Sequence, residues 1–211
     1  MELYTYFRST ASYRVRIALH LKKIPFESIP LDLKKGIHLL DDFKSINPQR
    51  LVPFLRDGHF SLGQSLVIID YLEEIYSLPS LHPKDQMLKY KSKELAQFIA
   101  CEMHPLNNLR VMKYLDYTLE ISEEQKIHWY HHWLKGGFDV LEVELSKFQS
   151  PFAIDKHPTL VDVCLIPQIY NALRFQFDMR AYPRLMQIYK HCLEHDAFIH
   201  ASPELQSDCD L

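Results

Sequence analysis

Hydrophobic and polar positions change period several times along the first eighty residues. Residues 2–6 and 26–31 run apolar or alternate over strand length, and Ser12 to Lys22 between them is free of Gly and Pro, as a helix requires. This predicts a β-α-β unit. Lys35 to Ser45 predicts a second helix. Val52 to Arg56 and His59 to Leu62 predict two strands joined by Asp57-Gly58, a strong two-residue hairpin signal. Ser65 then caps an apolar helix from Leu66 to Tyr76, on which Leu66, Ile69, Tyr71 and Leu72 can face a sheet. Pro79 and Pro83 flank Ser80 in a stretch that cannot continue a helix and reads as a linker. The reading is a small α/β layer domain over residues 1–80 and an all-helical domain over 85–211. Breaks in the second fall near Pro105, Ser122, residues 150–158, Tyr182-Pro183 and the polar tail 202–211.

Composition narrows the class. The 211 residues are 47% hydrophobic with 12 Phe and 12 Tyr, enough apolar surface for a core without metal or disulfide staples. A formal charge of -3 offers no footprint for broad nucleic-acid or anionic-membrane binding, which favours small ligands or protein partners. Apolar runs such as Leu66 to Ile69 and Val163 to Ile166 stop at four residues, far short of a membrane span of about 20. Met1-Glu2-Leu3-Tyr4 lacks the basic start and apolar core of a signal peptide, so a cytoplasmic address is expected. The cysteines Cys101, Cys164, Cys192 and Cys209 form no C-x-x-C pair and read as reduced thiols.

Four short segments carry candidate chemistry. Phe7-Arg8-Ser9-Thr10-Ala11-Ser12 joins the first strand to the first helix and puts small hydroxyl residues at a helix start. Free N–H groups and the helix dipole there favour an anion or thiolate, although spacing alone favours an ordinary N-cap. Val52-Pro53 opens the third strand, where a proline cannot donate to a ladder and the residue before it can pair with a ligand's backbone. Gln64-Ser65 stands at the next helix start and can hold a carboxylate, or be a plain cap. Thr159-x-x-Asp162 reads as a capping box that nucleates a buried helix. His128, His131 and His132 have helical i, i+3, i+4 spacing but no zinc-type partner, so a mixed helix face is preferred and no metal is expected. Arg8, His104, Arg110 and Arg174 are possible anion anchors.

Taken in order, these segments resemble the zeta-class glutathione transferases, a group that includes glutathione-dependent maleylacetoacetate and maleylpyruvate isomerases. The resemblance runs over nearly the whole chain. It is carried by Arg8-Ser9-Thr10-Ala11-Ser12-Tyr13-Arg14-Val15-Arg16, Ile46-Asn47-Pro48, Val52-Pro53, Gln64-Ser65, His104-Pro105-Leu106-Asn107-Asn108, and Pro167-Gln168 leading to Asn171-Ala172-x-Arg174-Phe175. It implies a thioredoxin-like amino-terminal domain, a helical carboxyl-terminal domain, a homodimer and glutathione as cofactor. The implied activity is cis–trans isomerisation of maleylacetoacetate to its fumaryl isomer in tyrosine and phenylalanine breakdown. Maleylpyruvate isomerase, a general glutathione transferase or peroxidase, and a non-catalytic interaction protein of the same fold are the alternatives. By resemblance, Ser9 hydrogen-bonds the glutathione sulfur, with Thr10 and Ala11 at the same helix start. Val52 pairs with the tripeptide backbone, Gln64 and Ser65 hold its γ-glutamyl end, and His38 and Asn107 reach it. Arg8 and Arg174, then His104 and Arg110, bind the cis-enedioate substrate. The animal pattern Ser-Ser-Cys-x-Trp-Arg is changed here to Ser9, Thr10, Ala11, Ser12, Tyr13 and Arg14, which argues against chemistry by a protein cysteine.

Overall fold

A computed structural model describes residues 1–210. The chain divides into two compact units, one comprising Met1–Leu81 together with the C-terminal segment from Leu193, the other His82–Cys192.

In the first unit, strand β1 (Glu2–Thr5) leads to helix α1 (Thr10–Leu21) and strand β2 (Glu27–Pro30). A 3₁₀ turn at Ile37–Leu39 and helix α2 (Asp41–Ile46) follow. Gly36 is left-handed at φ 74° and Leu40 is extended, so the single helix expected over residues 35–45 is broken at both points. Strands β3 (Phe54–Asp57) and β4 (Phe60–Gly63) form the expected hairpin, with Gly58 at φ 60° in the turn. Strand β3 starts two residues later than the hydrophobic pattern suggests, consistent with Pro53 having no N–H to give a ladder. Helix α3 (Ser65–Ile75) has Gln64 as its N-cap, one residue before the cap expected at Ser65. The sheet order is β2-β1-β3-β4, with β1 and β2 parallel and the other pairs antiparallel. Leu3, Val15, Ile17, Leu19, Leu55, Ile68, Ile69 and Leu72 fill the core between sheet and helices.

The C-terminal segment is not part of the helical unit, contrary to a boundary that assigns all of 85–211 to it. Helix α9 (Asp196–His200) packs on α1, with Phe198 and Ala201 fully buried. Polar groups fix the contact: the Tyr13 hydroxyl donates to the Phe198 carbonyl at 3.3 Å, and the Arg16 Nε to the Ala201 carbonyl at 3.0 Å. A polar tail is thereby drawn onto the sheet unit by donors from α1, a signal that apolar periodicity cannot carry.

The second unit is helical, comprising α4 (Gln86–Gln97), a π-helical segment (Phe98–Met103), a 3₁₀ turn (His104–Asn107), α5 (Leu109–Tyr117), α6 (Glu123–Leu145), α7 (Leu160–Arg174) and α8 (Pro183–Cys192). Almost every residue of α7 is buried, and its start carries the expected Thr159–Asp162 capping box. Asp162 accepts the N–H groups of Thr159 at 2.8 Å and Ala153 at 2.7 Å. Among the described residues no helix is long and apolar enough to cross a membrane.

Candidate active site

Strand register decides which segments of the first unit meet. Thr5 pairs with Pro30, Tyr4 with Phe54, and Phe54 with Gly63. The C-terminal ends of β1, β2 and β4 and the beginning of β3 therefore lie at one end of the sheet. Ser9 follows β1, Val52 precedes β3, Gln64-Ser65 follow β4, and His38 lies beyond β2. Segments separated by more than fifty residues are thus set along one edge by strand direction alone.

Each of these residues is held by local chemistry. Ser9 is the N-cap of α1, its Oγ accepting the Ser12 N–H at 3.2 Å, while its own O–H remains available to donate. The two readings of Ser9, cap and thiol partner, are therefore compatible. Thr10 and Ala11 occupy the first turn of this twelve-residue helix, where N–H groups have no intrahelical acceptor. Ser65 opens α3 in the same way. Its Oγ accepts from the buried Arg14 guanidinium at 3.3 Å, which ties the starts of the two helices together. Gln64 adopts φ 68° and donates from Nε2 to the Gln49 Oε1 at 2.7 Å. Val52 lies outside the last register pair of β3, joined to Pro53 by a cis peptide bond. Buried Asn47 sets its approach, donating from Nδ2 to the Leu51 carbonyl at 2.9 Å and accepting the Gln49 N–H at 3.1 Å. Neither Arg14 nor Gln49 is singled out by sequence pattern, although Arg14 lies within the first signature segment. Half-buried His38 sits in the 3₁₀ turn.

Arg8 lies directly before Ser9, its guanidinium 4.9 Å from the centre of the Phe7 ring and 3.7 Å from the Asp210 carboxylate. The Tyr6 phenol is pushed up to about 12, chiefly by burial, with Arg8 acting in the opposite direction.

In the second unit a polar chain connects two of the expected site residues. Asn107 is buried and donates to the Tyr130 carbonyl at 3.2 Å. The Tyr130 hydroxyl accepts from Asn171 Nδ2, and Asn171 Oδ1 in turn accepts the Arg174 Nε–H at 3.1 Å. Tyr130 stacks on Phe175 at 4.1 Å, and the Arg174 guanidinium lies 4.5 Å from the centre of the same ring. The exposed end of Arg174 is thus oriented by a buried Asn–Tyr pair, and burial also pushes the Tyr130 phenol up. His104 starts the 3₁₀ turn and exposed Arg110 lies in the first turn of α5. His131 and His132 on α6 have separate neighbours. His131 Nε2 meets the Phe175 carbonyl at 2.9 Å, and the His132 ring packs edge-on against Trp133. All four cysteines are free thiols, and burial raises Cys192.

A sheet of this order with two helix starts at one end, followed by a helical unit, is the architecture of the glutathione transferases. Residues 3–80 match the family described as "Glutathione S-transferase, N-terminal domain". The chain is 44% identical to the "Probable maleylacetoacetate isomerase" of Vibrio cholerae serotype O1 over 98% of its length and 97% of that protein's. It superposes with a TM-score of 0.96 on the holo structure of a maleylpyruvate isomerase, a bacterial zeta-class glutathione transferase, at 40% identity and 99% coverage of both chains. The same TM-score, at 35% identity and 100% coverage of both, is found with maleylacetoacetate isomerase from Methylobacterium extorquens AM1 bearing malonate and glutathione. The chain belongs to the zeta-class glutathione transferases, the family of the maleylacetoacetate and maleylpyruvate isomerases.

Proposed function

We propose that this protein is a glutathione-dependent cis–trans isomerase acting on maleylacetoacetate, with maleylpyruvate as the second candidate substrate. The observation that carries the reading is the convergence, at one end of the sheet, of the Ser9 cap, the Val52 segment and the Gln64-Ser65 helix start. These residues fit glutathione. The tripeptide's backbone matches the off-ladder segment at Val52, its γ-glutamyl carboxylate matches the first-turn N–H groups and hydroxyl at Gln64-Ser65, and its sulfur matches the Ser9 hydroxyl with Thr10 and Ala11 beside it. Glutathione held there would supply a nucleophilic thiolate for reversible addition to the cis double bond.

The chain's contribution is to keep that sulfur ionised and the substrate oriented. A thiol of pKa about 8.5 is only a few per cent ionised at pH 7; lowering it by roughly two units corresponds to about 2.7 kcal/mol. The Ser9 O–H and the N-terminal dipole of α1 act in that direction. Arg8 and Arg174, with planar guanidinium groups, suit the two substrate carboxylates, with His104 and Arg110 as the second choices, and His38 and Asn107 are the further proposed glutathione contacts. The relatives' names support the isomerase, and the free thiols of all four cysteines agree with a cytoplasmic address. Large exposed side chains on each unit, Phe60 and Val67 on one and Met87 and Tyr90 on the other, support a homodimer, which sedimentation tests.

The deciding experiment is isomerisation of maleylacetoacetate and maleylpyruvate side by side, with and without glutathione. Glutathione-dependent turnover of the first is expected; preference for the second would reassign the substrate, and turnover of neither would refute the isomerase.

A further inference from the structure

The end of the chain returns to the loop that carries Ser9. Asp208 Oδ2 accepts the Phe7 N–H at 3.0 Å, a contact between residues 201 positions apart in sequence. Among the described residues, Asp208 Oδ1 is buried with no hydrogen-bond partner, as are the Tyr6 hydroxyl and the Arg8 Nε. Asp210 pairs with Arg8 at 3.7 Å and with Lys34 at 3.1 Å. From the other side, buried Arg16 donates to the Phe7 carbonyl at 3.0 Å and the Tyr6 carbonyl at 3.4 Å. The Ser9 N–H closes the loop onto the Tyr6 carbonyl at 2.9 Å. The charged and titratable groups at the loop are thus Tyr6 and Arg8 within it, Arg16 from α1, Asp32 and Lys34 from the segment after β2, and Asp208 and Asp210 from the tail.

We propose that Asp208 is a positioning residue for the thiol site: by holding the Phe7 amide it sets the orientation of the Phe7–Ser9 peptides and hence of the Ser9 hydroxyl. The proposal rests on the reading of Ser9 as the group that meets the glutathione sulfur. Arg16 grips the Tyr6 and Phe7 carbonyls and Asp208 the Phe7 amide, so the two together hold both sides of the peptide two residues before Ser9. A carboxylate only accepts, and an acceptor on Asp208 Oδ2 leaves the Phe7 peptide a single orientation. Misplacement of a reacting group by about 1 Å costs on the order of a hundredfold in rate, so small tilts of this loop are felt in catalysis.

The test compares wild type with Asp208→Ala, Asp208→Asn and Asp208→Glu in the full chain. Two quantities are read: the ultraviolet thiolate titration of enzyme-bound glutathione, and the pH profile of kcat and KM for isomerisation. Asp208→Ala should raise the bound-thiol midpoint by about one pH unit, a tenfold fall in the thiolate-to-thiol ratio. It should lower kcat at neutral pH while leaving the glutathione KM within about twofold, because the binding groups at Val52 and Gln64-Ser65 are untouched. Asp208→Asn keeps an acceptor for the Phe7 N–H without the charge and should restore most of the shift. Midpoints equal in wild type and Asp208→Ala overturn the proposal, as does an Asn variant displaced as far as Ala. Should Asp208→Ala fail to fold, Asp208→Glu, its carboxylate set one methylene farther out, must itself move the midpoint, and an unmoved one overturns the proposal. Absence of isomerisation by wild type would sink the isomerase reading alone, since the thiolate titration still reports on Asp208. A wild type that leaves the glutathione thiol at its solution value sinks both.

Discussion

Replacing Arg16 by Met isolates what attaches the C-terminal segment to the sheet unit. The guanidinium is fully buried and donates to the carbonyls of Ala201 and Phe7, both at 3.0 Å, to Thr5 Oγ1 at 3.1 Å and to the Tyr6 carbonyl at 3.4 Å. Met fills much of the same volume and donates nothing. Hydrogen bonds from a charged donor are worth about 1.5–3 kcal/mol each, so losing the two shortest costs about 3–6 kcal/mol. Burying no guanidinium recovers part of this, which leaves a net loss of about 2–4 kcal/mol. For a chain of this size that lowers the melting temperature by roughly 4–16 °C. Hydrogen exchange should locate the effect, with amides around Phe198 to Ser202 exchanging faster and those in the middle of α6 unchanged. Arg16→Lys, which retains charge but not the planar fork, should fall between the two. A melting temperature within about 1 °C of wild type, with exchange around Phe198 unaltered, would refute the reasoning.

Four further outcomes are expected. Ser9→Ala should reduce isomerase turnover at least tenfold with a smaller loss of glutathione binding, and unchanged turnover in steady-state kinetics removes Ser9 from the chemistry. Arg174→Ala should raise KM for the dianionic substrate while the glutathione KM stays put; identical substrate kinetics would discard Arg174 as a carboxylate anchor. Burial pushes the Asp162 carboxyl up to about 6 despite the hydrogen bonds it accepts from Ala153 and Thr159, so the folded protein keeps a proton that the unfolded chain has released between about pH 4 and 6. Stability from this group is present at low pH and lost as pH rises through 6. Relative to Asp162→Asn, wild type should gain about 1 kcal/mol on going from pH 7 to pH 5 in urea unfolding, and parallel pH curves would contradict the assignment. Finally, a Cβ at Gly137 would collide with the Met103 side chain, whereas at Gly136 it meets nothing within 4 Å. Gly137→Ala should cost about 1–3 kcal/mol and Gly136→Ala should stabilise by up to about 1 kcal/mol, an order that denaturation midpoints can invert.

Period and turn chemistry made the first unit readable from its residues. The Asp57-Gly58 hairpin, the helix between two strands and the Thr159–Asp162 box are local signals, and each produced the element it implied. Boundaries moved where a backbone property overrode hydrophobicity: Pro53 delayed β3, while left-handed Gly36 and extended Leu40 divided a single amphipathic run. The zeta-class resemblance extended this to candidate residues, and its segments at Ser9, Val52 and Gln64-Ser65 fall where strand direction converges.

What the sequence concealed was charge in the interior. Arg14 and Arg16 read as the polar positions of an ordinary helix, yet both are buried, one holding Ser65 and the other the tail. A guanidinium survives burial only where carbonyls and hydroxyls converge on it, and those acceptors come from residues 5–7, 65 and 201, which no window on the helix contains. The same holds for Asp208. In a polar C-terminal stretch it has the composition of a solvated tail, and only the unpaired amide of Phe7 gives it a place. Long-range polar contacts of this kind leave no periodic trace, so the residues that orient a site can be far harder to read than those that touch its ligand. Arg174 shows both sides: its guanidinium was a candidate anion anchor on sequence alone, whereas the Asn171–Tyr130 pair that holds its Nε emerged only from the structure.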